Sequence, residues 1–292
     1  MKIDYVIITP AFNEEENIGR LIESMLNQTI LPKLWIIAND GSKDKTGEII
    51  DSYLPKGPFI RHLRLERGDV ISYYSRKTSV FIKGYESIGQ DISYDFVGSL
   101  DADVSFKPDY YENLLKEMDQ NPKLGLTSGQ YVYEQNGQIV KVLIDKTCVP
   151  GSLQFFRREC YERIGGYVPL KYGGDDSLAT IMAGMHGWQA YSRPEFQVIQ
   201  HREVGSVGHS ILRSRFRQGL TDYGVATHPL FMIFKSIRRA FLEKPYFMGS
   251  MARLAGFFSG YLRLEKRQIP DEAKRFVRKE QLKRLFSFCG RK

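Results

Sequence analysis

Short apolar runs alternate with amphipathic stripes through the first 118 residues, and few architectures accept that order. Tyr5-Val6-Ile7-Ile8-Thr9, closed by Pro10, reads as a buried strand. Ile18, Leu21, Ile22, Met25 and Leu26 then fall on one face of a helix. The pattern repeats with Leu34–Ala38, a helix carrying Ile49, Ile50, Tyr53 and Leu54, and a third strand from Phe59 to Leu65. Val80, Phe81, Tyr85 and Ile88 mark another helix, the run ending at Leu100 a fourth strand, and Tyr111, Leu114, Leu115 and Met118 a helix opened by Pro108. Such alternation predicts a parallel sheet with helices on both faces, an α/β fold. Ligands of such sheets bind beyond the carboxyl ends of the strands. Polar clusters lie at three of those ends, residues 11–14, 39–42 and 101–103.

Beyond residue 124 the alternation weakens. Residues 130–142 read as a hairpin around Asn136-Gly137, residues 176–186 as a helix, and Phe196-Gln197-Val198-Ile199 as a strand. From residue 211 the chain turns basic, aromatic and helical, which predicts a body over 1–210 and an extension over 211–292. Charge divides at the same place. The extension holds 19 Lys/Arg and 6 Asp/Glu, a net of +13, and the body has a net of −5. A basic extension calls for an anionic partner, lipid or nucleic acid, or is simply a solvated helical surface. The pI of about 9.2 comes from this region alone and no recognition motif accompanies it, so no specific nucleic-acid partner is expected. Cys148, Cys160 and Cys289 are widely spaced and read as free thiols of a reducing compartment. The N-terminus runs straight into a strand with no signal-peptide pattern, so a cytoplasmic location is expected.

Four clusters carry chemistry. Asp101-Ala102-Asp103 follows Phe96-Val97-Gly98-Ser99-Leu100, and two carboxylates at the exit of a buried strand need a positive charge between them. A hard divalent cation supplies it and commonly carries phosphates, although Asp-x-Asp also serves ordinary turns. Pro10-Ala11-Phe12-Asn13-Glu14 ends the first strand, with Asn13 or Asn17 available as a helix cap. Asn39-Asp40-Gly41-Ser42 ends the second, where a Gly turn brings backbone close to a ligand and Asp40 can accept from a base or ribose. Gly173-Gly174-Asp175-Asp176-Ser177-Leu178 opens a helix, and its carboxylates suit a general base or a cap.

In this order the four clusters resemble the family 2 glycosyltransferases of bacterial envelope and exopolysaccharide type. The resemblance covers about residues 3–205 and includes Gly165-Gly166-Tyr167. It implies an α/β fold of the glycosyltransferase-A type (Rossmann-like, for nucleotide-diphospho-sugar transferases) with a helical C-terminal extension. It implies an inverting transfer of one sugar from a nucleotide-diphosphate sugar, of the uridine or another pyrimidine type, to a hydroxyl of a glycan or lipid-linked acceptor. Contacts to the donor would come from Pro10, Ala11, Phe12, Glu14, Asp40, Lys77, Asp101 and Ala102, with Arg76 the alternative to Lys77. Mg²⁺ or Mn²⁺ would be held by Asp101, Asp103 and His201. Asp175 or Asp176 would be the base, with Asp175 favoured. The chain departs from the pattern at Asn39, where the family has Asp, and at Gly174, where it has Glu. The Gln-x-x-Arg-Trp element of processive synthases is missing, which argues for single transfers.

In the extension, Leu230-Phe231-Met232-Ile233-Phe234 precedes Lys235, Arg238 and Arg239, and residues 245–262 are apolar around Arg253. No run reaches the roughly 18 uncharged apolar residues of a spanning helix. Apolar faces beside Lys and Arg fit helices in the interface of an anionic membrane, or helices packed on the body. Trp188 and Tyr191 suit the core better than a sugar. Two other readings are a nucleotidyltransferase acting on sugar phosphates and a catalytically inactive binding protein of the same fold. The first normally shows a Gly-rich loop with Arg after its first strand, and Pro10 to Glu14 is not one.

Overall fold

The computed structural model describes residues 3–70, 72–135, 138–141, 149–202, 211–242 and 245–289. Strands β1 (Tyr5–Ala11), β2 (Leu34–Asp40), β3 (Ile60–Leu65) and β4 (Phe96–Ser99) are parallel and lie in the order β3-β2-β1-β4. The chain winds outward from β1 to β3 and then returns to the other side of β1. The ends of β1 and β4 therefore flank a switch point, where open α/β sheets place their ligands.

Both faces of these strands are covered, which is why β1 and β2 read as continuous apolar runs. Successive side chains alternate between two cores. Tyr5 and Ile7 pack with Trp35, with α1 (Ile18–Leu26) and with α4 (Tyr110–Gln120). Val6 and Ile8 face the opposite layer, with Phe81 of α3 (Arg76–Glu86), Tyr161 of α5 (Arg158–Arg163) and Ala179 of α6 (Asp175–Met185). Polar atoms in the first layer are paired: the Trp35 indole donates to Thr9 Oγ1 at 3.0 Å and the Tyr5 hydroxyl to the Ile30 carbonyl at 2.7 Å. Helix α2 (Thr46–Tyr53) completes the regular alternation.

The sheet is not wholly parallel. β8 (Phe155–Arg157) runs antiparallel between β4 and β6 (Leu124–Gln135), and β5 (Val104–Phe106) pairs antiparallel with β9 (Gln189–Gln200). β8 and β5 have three residues each, too short to show a period in the sequence. β6 and β9 are parallel, so the second half of the sheet is mixed. β6 and β7 (Gln138–Lys141) form the expected hairpin, while its turn at Asn136-Gly137 lies outside the described residues. Trp188 and Tyr191 pack against the cores, and Cys160 is a buried free thiol.

Four helices follow: α7 (Ile211–Gly224), α8 (Pro229–Leu242), α9 (Tyr246–Leu262) and α10 (Asp271–Cys289). Helices α7 and α9 cross backbone to backbone. A Cβ on Gly256 would lie 1.9 Å from the Phe216 carbonyl oxygen, and one on Gly219 would lie 2.0 Å from that of Arg253. Beside the crossing, Arg253 Nε donates to Asp222 Oδ2 at 2.6 Å and Lys235 Nζ to Asp222 Oδ1 at 2.8 Å. Burial opposes ionisation of Asp222, but the two cations pull its pKa down to about 2. The bundle also grips the loop before α6. Thr221 Oγ1 donates to the Tyr172 carbonyl at 2.8 Å, and Tyr172 donates to Glu265 at 2.7 Å.

Helix propensity alone would make Gly256→Ala stabilising by about 1 kcal/mol. The carbonyl in its way reverses the sign, and urea denaturation of G256A is expected to show a net loss of about 1–3 kcal/mol. Asp222→Asn leaves Arg253 and Lys235 without their counter-charge and is expected to lose about 3–5 kcal/mol. Because Asp222 titrates lower folded than unfolded, its contribution is whole above about pH 4 and fades as pH falls towards 2. The gap between wild type and D222N should therefore narrow in acid.

Candidate active site

The loops after β1 and β2 are laced together. Asn13 takes a left-handed φ of 53°, which Asn tolerates better than most residues. Its backbone N–H donates to Ser42 Oγ at 3.0 Å, and its Oδ1 accepts from the Lys43 N–H at 2.9 Å. The Glu14 N–H donates to Thr46 Oγ1 at 2.7 Å. Asn39 turns inward: its Oδ1 accepts from the Ser42 N–H at 3.0 Å and its Nδ2 lies 3.4 Å from His62 Nε2. Asp40 is the only carboxylate of this turn. It is buried, with Arg76 Nη1 at 3.2 Å and Arg67 Nη1 at 3.8 Å. The Arg67 guanidinium also stacks over the Phe12 ring, 3.4 Å from its centroid. Pro10 and Ala11 pair in the sheet with Ala38 and Asn39, and the side chains of Ala11 and Ala102 are buried in the core. These alanines can therefore offer a ligand only backbone.

Asp101 and Asp103 sit in the link between β4 and β5. Asp101 forms an ion pair with Lys77. Burial pushes the pKa of Asp103 up, and the Asp101 charge pushes it further. Gln200 Nε2 lies 3.4 Å from Asp103 Oδ2, and the His201 N–H donates to the Asp103 carbonyl at 2.9 Å. The His201 ring makes a 2.8 Å hydrogen bond with Ser105 Oγ through Nε2. Glu14 is buried beside this pair. Its pKa is pushed up by burial and by Asp103 and Asp101, against hydrogen bonds from Asn17 Nδ2 at 3.0 Å and Arg202 Nη2 at 2.8 Å. Asn17 occupies the N-cap of α1 but spends its side chain on Glu14.

The fourth cluster meets the third through Lys77. Burial disfavours the Lys77 charge, yet Asp101, Asp175 and Asp176 together raise its pKa. Asp175 and Asp176 occupy the first turn of α6. Asp176 accepts from the Ser177 N–H at 2.7 Å and its side chain packs on Gly151, where a Cβ would come within 2.8 Å. Its pKa is raised by burial and by Asp175. Asp175 is half-buried and makes no side-chain hydrogen bond to a described residue. Gly174 has φ 98°, and a Cβ there would lie 2.6 Å from Thr221 Cγ2. At that φ and with α7 so close, any side chain at this position would be strained and crowded.

The site thus brings together Glu14, Asp101, Asp103, Lys77, Asp175 and Asp176, with Asp40 and Phe12 at its Arg67–Arg76 end. Among the described residues no group of three or more His, Cys, Asp or Glu side chains is set to hold a metal. The donor set still fits one. Two neighbouring carboxylates, one buried and disfavouring its own charge, suit a hard cation whose remaining ligands are phosphate oxygens and water. Arg67, Arg202 and Gln154 carry no motif that sequence reading could find. Gln154 is fully buried, donates from Nε2 to the Asp176 carbonyl at 3.1 Å and accepts from the Tyr167 hydroxyl at 2.5 Å. The one hint of Tyr167 was its place in Gly165-Gly166-Tyr167.

A family model described as glycosyl transferase family 2 matches residues 6–164. Chondroitin synthase of Pasteurella multocida is 35% identical over 111 residues, which are 38% of this chain and 10% of the synthase. This chain therefore spans about a tenth of that relative's length. Among solved structures, the mannosyltransferase PcManGT of Pyrobaculum calidifontis, in complex with GDP-Man and Mn²⁺, superposes with TM-score 0.57 at 16% identity. The overlap covers 94% of this chain and 78% of that one. S. aureus TarS 1–349 with UDP-GlcNAc gives 0.56 at 14% identity, covering 89% and 73%. At such identities the likeness concerns the fold, a glycosyltransferase-A-type α/β sheet with a helical C-terminal region.

Replacing Asp103 with Asn removes a charge that burial and Asp101 both disfavour. The ligand-free D103N protein is expected to melt at a higher temperature than wild type in calorimetry.

Proposed function

The chain belongs to glycosyl transferase family 2, and from that premise we propose that it transfers a single sugar from a nucleotide-diphosphate donor to a hydroxyl of a glycan or lipid-linked acceptor, with inversion. The observation that carries this reading is the Asp101–Lys77 ion pair beside the buried Asp103, with the Asp175 and Asp176 charges near enough to raise the pKa of Lys77. Asp40, Phe12 and the backbone around Ala11 form the nucleoside end. Arg76 and Lys77 open α3 and hold the cationic side, where a diphosphate is neutralised. Asp101 and Asp103 would hold Mg²⁺ or Mn²⁺, which when bound neutralises charge on the departing nucleoside diphosphate.

Asp175 fits the base better than Asp176. The Asp176 carboxylate is committed to the Ser177 N–H and to the Gly151 turn, so its part is to position the loop. Asp175 remains available to take the acceptor hydroxyl proton as the oxygen attacks the anomeric carbon. Direct displacement forms one C–O bond and breaks another on the opposite face, so a single base suffices. Gln154 fixes α6 through the Asp176 carbonyl and keeps Asp175 in register. A uridine-type donor is carried by the resemblance of the motifs, and His201, with its ring on Ser105 and its N–H on the Asp103 carbonyl, would adjoin the cation.

Calorimetric titration of UDP and GDP, with and without Mn²⁺, tests the reading. Wild type is expected to bind one of them in a Mn²⁺-dependent way, and Asp103→Ala to lose that dependence. Asp175→Asn is expected to bind the nucleotide normally while turnover falls about 10²–10⁴-fold. Binding of neither nucleotide by a folded protein would overturn the proposal, and an active D175N would move the base to Asp176.

A further inference from the structure

Helices α8 and α9 form a hairpin whose outer face is apolar and bare. On α8, Leu230, Phe234, Ile237 and Phe241 are 51–64% exposed and recur at steps of four, three and four. The opposite side of α8, with Met232, Ser236 and Ala240, is buried against the bundle. On α9, Met248, Met251 and Phe258 continue the face at 40–69% exposure, while Gly249, Arg253, Gly256 and Gly260 point inward. Phe241 and Phe247 meet edge to face at 5.2 Å, so the stripes join where the last turn of α8 meets the first turn of α9. Each runs about 15 Å at 1.5 Å per residue. A continuous face of large apolar side chains in water marks an interaction site.

The charges around the face identify the occupant. From Tyr223 to Leu264 the sequence holds six cations, Lys235, Arg238, Arg239, Lys244, Arg253 and Arg263, and one acid, Glu243. Neither α8 nor α9 contains an Asp or Glu. Lys235 and Arg253 are occupied by Asp222. Arg238 is exposed next to Ile237, and Arg263 is exposed between Leu262 and Leu264, which are 86% and 88% exposed. A second copy docked face to face would set these arginines against each other with no acid on either helix to receive them. An anionic bilayer provides both requirements, hydrocarbon for the stripe and phosphate for the rim.

We propose that the outer face of the α8–α9 hairpin is a docking surface for an anionic lipid bilayer, with both helices lying in the interface. They do not cross it: among the described residues no helix is long and apolar enough to span a membrane. The inference rests on this face alone and is independent of the sugar-transfer reading.

Co-sedimentation of the full chain with vesicles tests it. Wild type is expected to pellet with phosphatidylcholine vesicles containing about 40% phosphatidylglycerol, less with phosphatidylcholine alone, and less as salt rises. A Phe234→Asp/Met251→Asp double variant is expected to lose affinity at least about tenfold, because each side chain withdraws apolar area from the contact. Both positions are exposed, so its melting temperature and nucleotide binding should match wild type. Arg238→Glu is expected to weaken only the phosphatidylglycerol-dependent part. Failure of wild type to pellet, or equal binding by the double variant, would overturn the proposal. So would a wild-type dimer in sedimentation equilibrium that the double variant converts to monomer, since a second copy would then be the occupant.

Discussion

A carboxylate buried next to another carboxylate persists only if positive charge lies close, and much of the architecture around Asp103 follows from that. Lys77 is set at the start of α3 and reaches Asp101. Arg202, beyond β9, reaches Glu14. Both cations lower the pKa of Asp103, but burial and the Asp101 charge outweigh them and it stays raised. Glu14 and Asp176 are raised by burial and neighbouring carboxylates in the same way, and such a cluster of disfavoured charges is characteristic of functional sites.

The C-terminal bundle supports the same site from behind. Asp222, Arg253 and Lys235 fix α7 against α8 and α9, and the Gly219–Gly256 crossing brings backbones into contact. Helix α7 in turn holds the Tyr172 carbonyl and presses Thr221 against Gly174. A buried ion cluster is seldom a large net source of stability, but it specifies one arrangement of helices. Here that arrangement sets where α6 begins, and with it the place of Asp175.

Much of this was legible in the sequence because its signals are local. The alternation in β1 to β4 and the apolar stripes of α1 and α4 reflect period and burial, which neighbouring residues reveal. The clusters at 11–14, 39–42, 101–103 and 173–178 announced themselves by chemistry at strand ends and a helix start. What was not legible depends on contacts between distant residues. β8 is three residues long, and its antiparallel place beside β4 is set by Phe155 and Phe156 entering different cores. Arg202 is 188 residues from Glu14, and Gln154 carries no pattern at all. Asn39 read as a lost charge, whereas in the fold it closes its own turn onto Ser42.

Arg76 and Lys77 are adjacent in the first turn of α3, yet their partners lie on opposite sides of β1, Asp40 at the end of β2 and Asp101 beyond β4. One helix end therefore straddles three strands like a clamp. If a ligand at either end moved that turn of α3, the two ends would be linked, and the coupling free energy would have the same size in both directions.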